Sequence, residues 1–185
     1  MLNDIKKNAQ DRMQYSVDAL RFELTKRRTG RATPALVDHL KVNYYGSDMP
    51  LTQVASVAIA DARSITITPW EKAMVGPIEK AIHASDLGLT PNTAGTVIRI
   101  NLPPLTEERR KELSKHVAGE GENTKVAIRN IRRDAIQQVK ELLKAKTISE
   151  DEERRAETEI QTLTDRFVKD VDGVVKAKED ELMAV

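Results

Sequence analysis

Three long stretches of this chain carry apolar or small side chains spaced by threes and fours, and each has only one narrow stripe of them. In residues 1–28 the stripe is Ile5, Ala9, Met13, Val17, Leu20 and Leu24, with Asp4 near the start and Lys26, Arg27 and Arg28 at the end. That is an amphipathic helix charged in the sense its dipole favours, and Gly30 and Pro34 stop it. The second stretch opens at Pro104, Leu105, Thr106, Glu107 and Glu108, where Thr106 is placed to cap a helix, and its stripe is clearest at Ile128, Ile131, Ala135, Val139 and Leu142. The third opens at Ser149, Glu150, Asp151 and Glu152, another capping pattern, and carries Ile160, Leu163, Phe167, Val171, Val174 and Leu182. Helices of about 28, 40 and 35 residues run to roughly 40–60 Å at the standard rise. A single stripe on each leaves them one economical arrangement, an elongated three-helix bundle with coiled-coil-like packing. Gly119, Glu120 and Gly121 interrupt the second helix. Each glycine costs about 1 kcal/mol against alanine in a helix interior, so a weak or kinked turn is expected there.

Between the first and second helices the pattern changes. Residues 39–46, 54–60, 64–70 and 96–102 alternate or run β-branched and are punctuated by Gly, Pro and Asp, the signature of short strands. Met74, Ile78 and Ile82 mark one short helix among them. The reading is an α+β chain in which a small β/α domain, 31–104, is inserted into a bundle made of 1–30 and 105–185. The connectors, Gly30 to Pro34 and Pro103 to Thr106, are short enough to serve as a pair of hinges.

Several function classes are disfavoured. No cysteine is present, which removes disulfide frameworks, thiolate metal sites and cysteine nucleophiles and fits the cytoplasm. The N-terminus turns polar at once, so no signal or transit segment is expected. No apolar run approaches the length of about 20 residues that a membrane span needs. Neither a Walker-type loop nor a G-x-G-x-x-G run occurs, so nucleotide hydrolysis by the chain itself is not expected. His39, His83 and His116 fall in three different expected elements without partners at ligand or triad spacing. The carboxylates of 150–181 lie on a long amphipathic helix, where a solvated face explains them better than acid–base catalysis. The expectation is a chain that is not an enzyme, needs no cofactor or metal, and works as a monomer.

The net charge of +1 conceals a marked segregation. Residues 1–31 hold 8 basic and 4 acidic side chains, 123–146 hold 7 and 2, and 149–185 hold 6 and 12. On the second helix Lys125, Arg129, Arg132 and Lys140 project within one sector, and Ile128, Ile131, Ala135 and Leu142 cluster roughly 100° or more away. A row of guanidinium groups on a rigid helix suits phosphate recognition, because each fork can pair bidentately and the helix fixes the spacing. The competing reading is that these cations only balance the acidic third helix. Arg129 to Ala135 holds three arginines and one acid in seven residues, which favours a site. The six aromatics, Tyr15, Phe22, Tyr44, Tyr45, Trp70 and Phe167, are too few for base-stacking platforms, so contacts to RNA backbone and shape are expected. A helical scaffold that binds other proteins remains the alternative.

Five segments add a resemblance. Arg28-Thr29-Gly30-Arg31-Ala32-Thr33-Pro34, Tyr44-Tyr45-Gly46, Ala84-Ser85-Asp86-Leu87-Gly88-Leu89, Pro103-Pro104-Leu105-Thr106-Glu107-Glu108-Arg109-Arg110-Lys111 and Arg129-Asn130-Ile131-Arg132-Arg133-Asp134-Ala135 resemble, in order, the signature segments of ribosome recycling factors. The likeness covers essentially the whole chain. It implies an L-shaped molecule of tRNA-like outline that binds the ribosome after termination and, with elongation factor G and GTP, splits it into subunits and frees the mRNA. Carried over by position, it implies that Arg132 and Arg129 hold large-subunit ribosomal RNA, with Arg110, Arg28 and Arg31 contributing. Arg133 points about 100° away from Arg132 and is the least secure of the set. Gly30, Ala32, Thr33 and Pro34, with Pro103, Pro104, Leu105 and Thr106, are then expected to set the angle between domains, Gly30 by conformational freedom and the prolines by restricting the rest.

Overall fold

A computed structural model describes residues 1–27 and 32–184. The chain divides into two compact units, one made of Met1–Leu24 with Lys111–Ala184 and the other of Thr25–Arg110.

The first unit is helical. It contains α1 (Leu2–Thr25), and two further helices come from the end of the chain. The intervening segment contributes, in order, α2 (Ala35–Asp38), β1 (Lys41–Tyr44), β2 (Ser47–Pro50), α3 (Leu51–Val54), β3 (Ala55–Asp61), β4 (Ser64–Pro69), α4 (Val75–Ala84), β5 (Pro91–Ala94) and β6 (Val97–Asn101). Then come α5 (Glu107–Lys144) and α6 (Glu150–Met183).

The stripes expected from the spacing form the core of the bundle. Ala9, Met13, Val17, Leu20 and Leu24 are buried on α1, and Ile128, Ile131, Ala135 and Val139 on α5. Ile160, Phe167, Val171 and Leu182 are buried on α6. Ion pairs join every two of the three helices: Lys6 with Glu159, Arg12 with Asp134 at 3.5 Å, and Lys125 with Asp172. The buried hydroxyl of Thr164 is satisfied within its own helix by donating to the Ile160 carbonyl at 2.8 Å. Both expected caps form. The Thr106 Oγ1 accepts the Arg109 N–H at 3.1 Å. Ser149 and Glu152 exchange side chain and backbone bonds as a capping box, each at 3.1 Å.

The weak or kinked turn expected at Gly119–Gly121 does not interrupt the helix, and α5 runs unbroken through it. The reason is packing. Gly121 is buried, and a Cβ there would stand 2.5 Å from Val175 Cγ2 and 3.8 Å from Val171 Cγ1 of α6. The glycine lets two helices approach closely, and the contact thereby gained offsets its poor helix propensity.

The second unit holds a two-stranded hairpin, β1–β2, and a four-stranded antiparallel sheet in the order β3-β4-β6-β5. Tyr45 and Gly46, at φ 49° and 91°, make the tight turn of the hairpin. Ile65 and Ile67 of β4 pair with Ile100 and Ile98 of β6, and all four are fully buried. They pack in one core with Met74, Ile78 and Ile82, the three residues that mark the short helix in the sequence.

Candidate nucleic-acid interface

On α5 the buried stripe and the cations occupy different sectors, but the cations of one sector do not all serve the same purpose. Lys125 belongs to the bundle and not to a free face. Its ammonium pairs with Asp172 of α6 and with Glu122 at 3.3 Å, and its side chain is 15% exposed. The hydrogen bond to Asp172, foremost, raises its pKa above the ordinary lysine value. For this residue, charge balance with the acidic third helix is the correct account.

Arg129 and Arg132 differ. Among the described residues neither side chain has an ion pair or hydrogen bond, and the same holds for that of Lys140. Arg129 is exposed. Arg132 is half-buried, its Nε withdrawn from solvent without an acceptor, so donor capacity on this guanidinium is unspent on the bundle. Asp134, the one acid of the seven-residue segment, is engaged by Arg12 of α1 and is therefore drawn off from its arginine neighbours. Arg133 is exposed and, among the described residues, is held only by a long 3.4 Å bond from its Nη1 to Asn130 Oδ1. Helix geometry thus brings Arg129, Arg132 and Arg133 together at one level of α5, fixed in spacing by 38 residues of unbroken helix. Such an array is suited to oxyanions of a phosphate backbone, which guanidinium forks meet bidentately.

The other expected site residues that the structure describes lie in the second unit. Arg110 is half-buried in the first turn of α5, where its N–H donates to the Thr106 carbonyl at 3.0 Å. Arg28, Gly30 and Arg31 lie outside the described residues. Ala32 is half-buried and donates its N–H to the Ala62 carbonyl. Thr33 and Pro34 are exposed and lead into α2, their carbonyls accepting the N–H groups of Leu36 and Val37. Pro103, Pro104 and Thr106 are exposed, whereas Leu105 between them is buried at 9% exposure.

Sequence reasoning passed over one cluster. The Tyr44 and Tyr45 rings meet edge to face at 4.7 Å, and their hydroxyls donate to the two oxygens of Glu71 at 2.9 and 3.1 Å. These bonds to Glu71 raise both tyrosine pKa values. Tyr44 packs on the core, and Tyr45 is 73% exposed. Nothing in the local pattern marks Glu71 as their partner, because it lies 26 residues on, beyond three strands.

Two grooves between α1 and α5, of about 340 and 530 Å³, share Tyr15, Ser16 and Ala127. The Ser16 hydroxyl is turned onto the Arg12 carbonyl at 3.2 Å and not toward a base. Among the described residues no His, Asp and Glu group could hold a metal ion, and no helix is long and apolar enough to cross a membrane.

These features define an α+β protein in which a bundle of long helices, with an arginine-bearing face on its longest member, is interrupted by a small unit of antiparallel strands. Within that class the chain belongs to the ribosome recycling factor family, whose model matches residues 20–183. It is 65% identical to the ribosome-recycling factor of Xanthomonas campestris pv. campestris over the full length of both chains. Among solved structures it is similar to a ribosome recycling factor determined in solution, with 41% identity, a TM-score of 0.83, and coverage of 100% of this chain and 98% of the other. It is also similar to the Thermus thermophilus ribosome recycling factor described together with Escherichia coli elongation factor G on the E. coli post-termination complex. There the identity is 46%, the TM-score 0.67, and both chains are covered completely.

Proposed function

We propose that this chain binds the bacterial ribosome after termination and, together with elongation factor G and GTP, dissociates it into subunits and releases it from mRNA. The observation that carries the reading is the Arg129–Arg132 face of α5, which is free of partners among the described residues in a chain of the recycling factor family. The relative bound with elongation factor G to a post-termination complex supports the choice of partners. In this reading Arg132 and Arg129 contact large-subunit ribosomal RNA, with Arg110, Arg28, Arg31 and Arg133 adding phosphate contacts. The bundle, 1–30 with 105–185, is the ribosome-binding part, and the inserted domain, 31–104, moves on the connectors Gly30–Pro34 and Pro103–Thr106.

The chain is not itself a catalyst in this account. Elongation factor G hydrolyses the GTP, and the recycling factor supplies binding and a lever. It acts as a cytoplasmic monomer without cofactor or membrane contact. Light scattering by post-termination ribosomes, mixed with the chain, elongation factor G and GTP, tests the proposal. The expected result is a fall in scattering that needs all three and is slowed at least about tenfold by Arg132→Ala, the equivalent of one charge-assisted contact. Splitting at the wild-type rate by the bundle alone, or by Arg129→Ala/Arg132→Ala together, would overturn it.

A further inference from the structure

The tight turn between β3 and β4 receives both connectors. The Ala62 carbonyl accepts the Ala32 N–H at 2.8 Å, and the next carbonyl along, that of Arg63, accepts the Leu102 N–H at 2.7 Å. Ala32 is the first described residue of the entering connector, and Leu102 immediately precedes Pro103 and Pro104. Segments separated by about 70 residues therefore end on adjacent peptide units of one turn: the Leu102 bond is the last rung of the β4–β6 ladder, one pair beyond Ser64 and Asn101, and the Ala32 bond lies outside any strand pairing.

The turn is itself held. Asp61 Oδ1 accepts the Arg63 N–H at 2.9 Å, closing an Asx turn over the peptide that carries the Ala62 carbonyl. Ser64, 6% exposed, donates its hydroxyl to Asn101 Oδ1 at 3.0 Å, one residue before Leu102. The β3–β4 register shifts between Ile59 and Asp61, a bulge immediately before the turn, and Asp61 and Ser64 pair across it. The Arg63 N–H, then Ser64 and Arg99, hold the Asp61 carboxyl below its ordinary pKa, so it is ionised and a strong acceptor at neutral pH.

We propose that Asp61 is a positioning residue for the two connectors: by fixing the Ala62–Arg63 turn it anchors Ala32 and Leu102 at one place on the small unit, so that bending begins beyond them. The inference rests on the hinge reading given under Proposed function. An acceptor at position 61 is what the geometry uses, so Asp61→Asn retains the function and Asp61→Ala removes it.

The test uses the full chain. Amide hydrogen exchange at Ala32 and Leu102 is followed by NMR in the wild type, Asp61→Ala and Asp61→Asn, with nitrogen relaxation giving the tumbling time of each unit and thermal unfolding as the stability control. In Asp61→Ala both amides speed up together by roughly three- to tenfold, the effect of losing one ordinary hydrogen bond. The tumbling times of the two units separate further, while β4 and β6 amides and the melting temperature stay near wild type. Asp61→Asn remains within about twofold of wild type at both amides, since its oxygen can accept the same bond. Unchanged amides, amides that respond singly, or faster exchange spread evenly over the sheet would overturn the proposal. Ribosome binding by the same variants separates the two readings. Asp61→Ala leaves the arginine face intact and binds as wild type, whereas a wild-type chain that does not bind ribosomes would sink the functional reading without touching the exchange result.

Discussion

A methyl group added at Gly121 would stand 2.5 Å from Val175 Cγ2, a β-branched neighbour with little rotamer freedom. Gly121→Ala is therefore expected to destabilise the bundle by about 1–2 kcal/mol in urea unfolding, overpacking outweighing the gain in helix propensity. Gly119→Ala meets nothing within 4 Å and is expected to stabilise by up to about 1 kcal/mol. Both glycines look alike in the sequence, because composition reports the propensity cost of each and only packing shows which one faces a partner helix. Lys146 is a second residue whose role appears only in three dimensions. It sits at φ 61° just past the end of α5, where the Lys146 and Thr147 N–H groups close on the Leu143 and Leu142 carbonyls at 2.9 Å each. Glycine takes that conformation without strain, so Lys146→Gly is expected to raise stability by about 1 kcal/mol, read from the same unfolding curves.

At the scale of elements, α5 carries two kinds of cation that the spacing placed together. Lys125 and Arg132 share a sector, yet Lys125 reaches Asp172 and Glu122, and Arg132 reaches no acid. Helix periodicity gives the direction of each side chain but not the position of α6, so it could not separate them. Lys125→Ala is expected to cost up to about 1 kcal/mol of bundle stability and to leave ribosome affinity near wild type. Arg129→Ala is expected to change stability by less than about 0.5 kcal/mol and to weaken ribosome binding, the opposite signature. The three long helices and their caps were readable because a stripe at every third or fourth position and a Ser149–Glu152 pair are local signals. The strands β2 and β5 were not. Ser47–Pro50 and Pro91–Ala94 are poor in β-branched residues, contain proline, and exist by pairing at one edge with β1 and β6.

For the molecule as a whole, a net charge of +1 conceals a basic stretch on α5 and an acidic α6, and the bundle uses part of each to hold itself together. On the proposed reading, what the bundle leaves over is what binds the ribosome. The family resemblance was legible in five short segments, whereas the division of labour among the cations needed the packed helices. Binding to purified bacterial ribosomes across a salt series, for the wild type, Arg132→Ala and Lys125→Ala, measures that division. The expected result is an affinity that falls steeply as salt rises, a weaker affinity and shallower slope for Arg132→Ala, and a slope like the wild type's for Lys125→Ala. Salt-insensitive binding, or an Arg132→Ala curve that overlies the wild type's, would contradict the account and return the arginine face to a scaffold that binds proteins.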